Sequence, residues 1–179
     1  SYDSNLSFDY EQYIRAVDST IRMAVLENPN GFVGSAPPER YLHAFIHKCE
    51  EEGVLAVIDE AYYLFHETTA AALLDKYENL VVVRSFSKAF GLAGVRGGYL
   101  LSREENISNI FKVKPMHELT GFAILAIDEL LNHPEEIDNF VQSTREDLDY
   151  LKRGFEELGI STSQSVCNFI AVRLGTQID

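Results

Sequence analysis

Three short apolar runs each end in residues able to do chemistry. Met23-Ala24-Val25-Leu26 leads to Asn28-Pro29-Asn30-Gly31-Phe32-Val33-Gly34, and Val54-Leu55-Ala56-Val57-Ile58 delivers Asp59-Glu60-Ala61-Tyr62. Leu80-Val81-Val82-Val83 is followed by Ser85-Phe86-Ser87-Lys88, then by a glycine-rich turn through Gly91 and Gly94 to Arg96. A lysine amine is a nucleophile toward carbonyl groups and a carrier of protons. An arginine fork grips phosphate or carboxylate. Polar function gathered on loops behind apolar runs marks a binding or catalytic face.

Each piece alone also has an ordinary reading. A lysine just past a strand is commonly a solvated surface lysine. Asp59-Glu60 fits a helix cap or a surface pair, and Arg96 fits an exposed ion pair. The turn Gly91-Leu92-Ala93-Gly94-Val95-Arg96-Gly97 is not GxGxxG and leads into a strand, so it is not a dinucleotide fingerprint. His43 and His47 stand one helical turn apart, but no third metal ligand accompanies them.

The elements that must position these groups read as an alternation of strands and helices. The Val-rich runs lack polar alternation, which predicts strands of a parallel sheet buried on both faces. Gly97 to Leu101 reads as a fourth strand. Between the first two strands, Pro37 and Pro38 suit a first helical turn, Tyr41, Leu42, Phe45, Ile46 and Cys49 recur at helical spacing, and Gly53 ends the helix. A shorter helix is predicted over 68–77. In open sheets of this class, ligands bind at the carboxyl ends of the strands, where the three polar clusters fall.

Beyond the fourth strand the pattern changes. Leu119, Phe122, Ala123, Ala126, Ile127, Leu130 and Leu131 mark an amphipathic helix. Pro134 interrupts it, and Ile137, Phe140, Val141, Thr144, Leu148, Leu151, Phe155 and Leu158 continue to a stop at Gly159, predicting one long kinked stretch. Residues 166–172 alternate like a strand that opens a second domain.

Composition bounds the partners. The chain of 179 residues carries 15 Lys plus Arg against 28 Asp plus Glu, a net charge of −13. Nucleic-acid affinity rests on neutralising phosphates with basic residues, so such a partner is excluded. No apolar run of spanning length occurs, which gives no membrane helix. The polar start, Ser1-Tyr2-Asp3-Ser4, lacks the features of a signal peptide. The absence of an initiator Met fits a piece of a longer protein. Cys49 and Cys167 are far apart, which argues against a disulfide framework and for a reducing, cytoplasmic setting.

The combination of clusters is more specific than its parts. Asp59-Glu60-Ala61-Tyr62, Ser85-Phe86-Ser87-Lys88 and Arg96 eight residues beyond the lysine resemble the pyridoxal-phosphate enzymes of fold type I. Within the class I and II aminotransferases, the stretch Ser87 to Gly98 resembles the lysine motif of the histidinol-phosphate aminotransferase group. Val166-Cys167-Asn168-Phe169 resembles that group's Ala-Asn-Phe strand. The resemblance runs from about Ser7 to Leu174. It implies an α/β fold, part of a mostly parallel seven-stranded sheet in a large domain. It also implies a cofactor-binding domain over 1–117, connecting helices over 118–159 and the start of an α+β small domain over 160–179.

The resemblance also assigns roles. Lys88 is the catalytic residue, forming a Schiff base with pyridoxal 5'-phosphate and shuttling a proton. Asp59 pairs with the ring nitrogen, Tyr62 donates to the phenolic oxygen, and Arg96, Ser85 and Ser87 hold the phosphate. Asn168 sits near the substrate carboxylate. The partners implied are an amino acid or amino-alcohol phosphate and a 2-oxo acid, in a homodimer. Members of the group are about twice this length, so a central fragment is expected, lacking the phosphate loop with its stacking aromatic and the substrate-gripping arginine.

Two departures stand out. The group shows Asn-Pro-Asn-Asn-Pro-Thr-Gly where this chain has Asn28 to Gly34, and Gly31 occupies the place of the asparagine that bonds the phenolic oxygen. Asn30 or Asn28 is left to substitute. Lys114-Pro115-Met116-His117 stands where relatives carry an aromatic and an asparagine. Two further readings stay open: a decarboxylase of the threonine-phosphate type on the same scaffold, and a non-catalytic or degenerate aminotransferase-like module.

Overall fold

The computed structural model describes residues 8–116 and 119–174. The polar Ser1–Ser4 segment, the rim residue His117 and the 117/118 boundary lie outside the described residues.

Four strands form one sheet in the order β1 (Met23–Glu27), β2 (Leu55–Asp59), β3 (Leu80–Ser85) and β4 (Gly98–Ser102). β1, β2 and β3 are parallel, and β4 runs antiparallel to β3. The register places Glu27 beside Asp59, and Asp59 beside Val83, so the functional ends of the strands are level. A short helix α1 (Tyr10–Arg15), capped by the Asp9 carboxylate, precedes the sheet.

Helix α2 (Glu39–Glu51) begins after Pro38, which serves as its N-cap, and packs Leu42, Phe45, Ile46 and Cys49 onto the sheet. They meet Ala24, Leu26, Ala56, Ile58, Leu80 and Val82, alternate residues of three strands on one face. Gly53 takes φ +67° just past the helix and turns the chain into β2.

The expectation of strands buried on both faces holds only for β3. β1 buries alternate residues, leaving Met23 and Val25 exposed at 55% and 42%. No element of the described chain covers that side of β1, and this open face carries Glu27 and Asp59. The helix predicted over 68–77 is instead a 3-10 turn, Ala70–Leu73. Its start is pinned because the Thr69 hydroxyl and the Ala70 N–H are both held by the buried Glu60 carboxylate.

After β4, α3 (Glu104–Phe111) is followed by α4 (Gly121–Leu131) and α5 (Pro134–Glu157). The predicted single kinked helix is two separate helices. Asn132 closes the first, and Pro134, lacking an N–H, opens the second at its first position. α5 buries Ile137, Val141 and Leu148, and Gly159 at φ +69° ends it. The predicted strand over 166–172 is a single antiparallel bridge, Thr162 with Val172. Alternation is present, but Ser163, Ser165 and Cys167 are the buried set, turned toward the loop after β1. A lone bridge does not make a sheet.

Candidate active site

Asp59 ends β2, and the ladder continues past it: the Asn28 N–H donates to the Asp59 carbonyl at 2.8 Å and the Glu60 N–H to the Val83 carbonyl at 2.8 Å. The Asp59 carboxylate accepts from the Ala61 N–H at 2.9 Å, which leaves one carboxylate oxygen open at the strand end. The chain then turns through Tyr63 and Leu64, whose φ of +78° is rare for a leucine. That turn directs Tyr62 back over the open sheet face.

Lys88 comes from the turn after β3. The Ser87 N–H donates to Ser85 Oγ at 3.0 Å, and the Gly91 N–H to the Lys88 carbonyl at 2.9 Å, with Gly91 at φ +67°. Lys88 Nζ lies 5.1 Å from the Tyr62 ring centroid and makes no hydrogen bond or ion pair among the described residues. The Tyr62 ring meets Phe169 edge-on at 5.5 Å. Lys88, Tyr62 and the Asn168-Phe169 segment therefore converge, with Asp59 three residues before Tyr62.

The anchoring beneath this group is apolar. Ala89, next to Lys88, packs in a buried cluster with Phe65 and Val141, joined by Tyr62, Leu64 and Phe90. Arg145 on α5 donates to the Leu64 and Phe65 carbonyls at 3.2 and 3.0 Å. One helix thus holds both the tyrosine loop and the lysine turn.

Two sequence candidates are placed differently. Asn30 is committed to its own turn: its side-chain oxygen accepts from the Phe32 and Val33 N–H groups at 3.0 Å, and its amide donates to Glu27 at 2.7 Å. It is not a free donor. Arg96 is exposed, sits at φ +54° and donates to the Ala93 carbonyl at 3.0 Å. It lines a cavity of about 450 Å³ with Arg84, Tyr99 and Phe111, and Asp59, Tyr62 and Lys88 are not among that cavity's walls. His43 and His47 pair with Glu39, Glu50 and Glu51 of their own helix.

Sequence reasoning missed a buried charge pair. Glu60 is 1% exposed and Arg84 is 8% exposed. The signal was available: an arginine closing a run of valines must find a partner inside. Burial opposes the Arg84 charge, but its bonds to Tyr99 and Glu60 outweigh that and raise its pKa above the usual arginine range. Cys167 is also buried here, its thiol pushed up to about 12 by burial.

A mostly parallel sheet that gathers a lysine, a phenol and a carboxylate near its strand ends has the arrangement of the α/β proteins that bind ligands at the carboxyl edge of the sheet. The particular family follows from comparison. The sequence model of "Aminotransferase class I and II" matches residues 1–178, and the chain belongs to that family.

Among curated relatives, histidinol-phosphate aminotransferase 2 of Hydrogenovibrio crunogenus is 34% identical over 171 residues, covering 93% of this chain and 46% of the relative. The structure of histidinol-phosphate aminotransferase from Sinorhizobium meliloti, in complex with pyridoxal-5'-phosphate, superposes with a TM-score of 0.88 at 26% identity, covering 98% of this chain and 48% of that one. L-threonine-O-3-phosphate decarboxylase from Porphyromonas gingivalis shares the fold, with a TM-score of 0.76 at 22% identity over 94% of this chain and 53% of that one. The chain spans about half the length of the curated relatives it matches. No helix among the described residues is long and apolar enough to cross a membrane.

Proposed function

We propose that this chain carries the lysine half of a pyridoxal-phosphate site, and that the whole protein is an aminotransferase resembling the histidinol-phosphate group. The observation that carries this reading is Lys88 Nζ standing 5.1 Å from the Tyr62 ring with no ion-pair partner among the described residues, while Asp59, three residues before Tyr62, ends the neighbouring strand.

The residues fit the cofactor at most positions. Lys88 supplies the amine that holds it. Asp59 presents the carboxylate that a protonated ring nitrogen needs, Tyr62 a phenolic donor, and Ser85 and Ser87 phosphate donors, whereas Arg96 would have to leave the Ala93 carbonyl to join them. Asn30, spent within its turn, does not fit as a donor. Pyridoxal phosphate, when bound, supplies the sink for electrons left on a substrate carbon.

The chain's own groups do the rest. The Lys88 amine would take a proton from the substrate α-carbon and carry it on to the cofactor carbon, with no acid partner among the described residues to compete for it. The Tyr62 ring packs beside that amine and limits its travel. Phe169 closes over Tyr62 and brings Asn168 to the rim, where its amide can meet a carboxylate. The partners are then an amino acid or amino-alcohol phosphate and a 2-oxo acid, in a cytoplasmic homodimer, with the domain division at 1–117, 118–159 and 160–179. The likeness to decarboxylases, below one quarter identity, supports the shared fold alone.

The test is a visible spectrum of the purified chain with pyridoxal phosphate, then borohydride reduction and peptide mapping. The expected result is a single reduced adduct on Lys88, abolished in Lys88→Ala. Indiscriminate labelling of surface lysines, or no band, would refute the reading.

A further inference from the structure

Gly31 leaves a notch at the end of β1. A Cβ built there would lie 3.7 Å from both carboxylate oxygens of Glu27 and 3.8 Å from the Tyr62 ring edge. Glu27 therefore fills one wall of the space that a side chain at position 31 would occupy. Its carboxylate is oriented by two donors on the same oxygen: the Asn30 amide and the Gly31 N–H reach Oε2 at 2.7 and 2.8 Å. Oε1 accepts no hydrogen bond among the described residues, and it borders the same notch as the Tyr62 ring edge.

Resting on the cofactor reading above, we infer that Glu27 is a cofactor-tuning residue that replaces a neutral amide donor at the phenolic oxygen with a carboxylate. An ionised carboxylate only accepts hydrogen bonds, so it cannot stabilise an oxygen anion as an asparagine amide does. A negative charge at this place disfavours loss of the proton shared between Lys88 and that oxygen, and so holds the lysine-bound cofactor in its protonated form to higher pH. The groups facing the notch are few. Asp59 stands beside Glu27 on β2, the Tyr62 ring edge borders the notch with Lys88 Nζ 5.1 Å from that ring's centroid, Cys167 approaches from the segment after α5, and Tyr13 of α1 donates to the Val25 carbonyl behind it. Lys88 is the cation among them, and Asp59 adds to the negative field.

Two substitutions separate the charge from the fold. Glu27→Gln keeps a side-chain oxygen for the Asn30 amide and the Gly31 N–H. Gly31→Asn is sterically open, because the nearest atoms are at ordinary contact distance and Gly31 does not occupy the left-handed region.

The experiment is a pH titration of the visible absorption of the cofactor-loaded chain, read at equilibrium without substrate. Both variants are expected to lower the midpoint, Glu27→Gln by about one pH unit. Gly31→Ala, which adds volume and no donor, is expected to leave it in place. Midpoints equal to the unsubstituted chain in both variants, with the borohydride adduct on Lys88 intact, would overturn the role of Glu27 alone. Absence of the adduct in the unsubstituted chain would overturn the cofactor reading and this inference with it.

Discussion

Arg84 Nε lies 3.0 Å from Glu60 Oε2, and the pair links the two strand ends that carry the candidate chemistry. Glu60 follows Asp59, and Arg84 precedes Ser85. The Thr69 hydroxyl lies 2.9 and 2.8 Å from the two Glu60 oxygens and accepts from Arg84 Nη2 at 2.8 Å. The Ala70 N–H donates to Glu60 Oε1 at 2.7 Å, and the Arg84 guanidinium stacks 3.3 Å from the Tyr63 ring centroid. Arg84 Nε and Nη2 and both Glu60 oxygens have partners, which is what makes a buried charge pair tolerable.

The first prediction concerns this pair. Removing one partner leaves the other charge buried and alone, so Glu60→Ala and Arg84→Met should each destabilise the chain by about 3–5 kcal/mol. Urea unfolding followed by circular dichroism reads this directly. The double variant should lose less than the sum of the two, because the orphaned charge is gone. Equal and additive small losses would show that the pair does not hold the two strand ends together.

Why some of the fold was legible in the sequence, and the rest not, follows from which forces act locally. α2 could be read because Leu42, Phe45, Ile46 and Cys49 repeat on one face and Gly53 stops the helix, all within a dozen residues. The nearness of Lys88 to Tyr62 was legible because strand ends in parallel sheets converge. The 3-10 turn at Ala70 could not, since it depends on Glu60, ten residues away and buried by folding. The inward turn of Ser165 and Cys167 depends on the loop at Gly34, over 130 residues back. Asn30 looked like a free amide because its neighbours in the turn, and not its own identity, consume it.

Arg145 should act on the site without touching it. Its guanidinium holds the carbonyls of Leu64 and Phe65, which set the turn that aims Tyr62 at Lys88. Hydrogen bonds to a charged donor contribute roughly 1.5–3 kcal/mol. Arg145→Met should therefore cost about that much stability and weaken pyridoxal phosphate retention, while borohydride still fixes the residual cofactor on Lys88. Arg145→Lys should rescue partially: both bonds come from the one nitrogen Nη2, which an ammonium can replace as a donor, but on a shorter stem than the guanidinium offers. Unchanged cofactor retention in Arg145→Met would show that the turn sets itself.

The two thiols give a pH prediction. Burial pushes Cys49 up to about 11 and Cys167 up to about 12. Thiolate is the reactive form, so both should resist alkylation at pH 8 in the native chain and react promptly in urea. The linkage has a definite sign. An acid whose folded pKa is raised stabilises the fold fully below its unfolded pKa of about 8.5, and that contribution is lost as pH climbs toward the folded value. The urea midpoint should accordingly fall between about pH 9 and 11, and Cys49→Ala should flatten part of that slope. A midpoint that stays level across this range would mean the thiols titrate alike in both states.

Gly34 should be the least replaceable glycine among the described residues. It takes φ +78°, and a Cβ there would sit 1.9 Å from Ser165 Oγ and 2.5 Å from Ser165 Cβ. The close approach is used: the Val166 N–H donates to the Gly34 carbonyl at 2.9 Å, and Cys167 Sγ lies 3.7 Å from the same oxygen. Lys152 of α5 adds a bond to the Ser165 carbonyl at 3.1 Å. Gly34→Ala must move Ser165 and strain its own backbone, at a cost of order 1–3 kcal/mol for the φ alone. The expected outcome is release of residues 161–172 from the loop after β1, seen as faster hydrogen exchange at Val166 and Cys167 with the β-sheet amides unchanged. Since Phe169 leaves Tyr62 when that segment lifts, the same variant should also admit water to Lys88 and speed loss of bound pyridoxal phosphate. Protection at Val166 equal to that of the unsubstituted chain would show that the contact at Gly34 is incidental to how the segment is held.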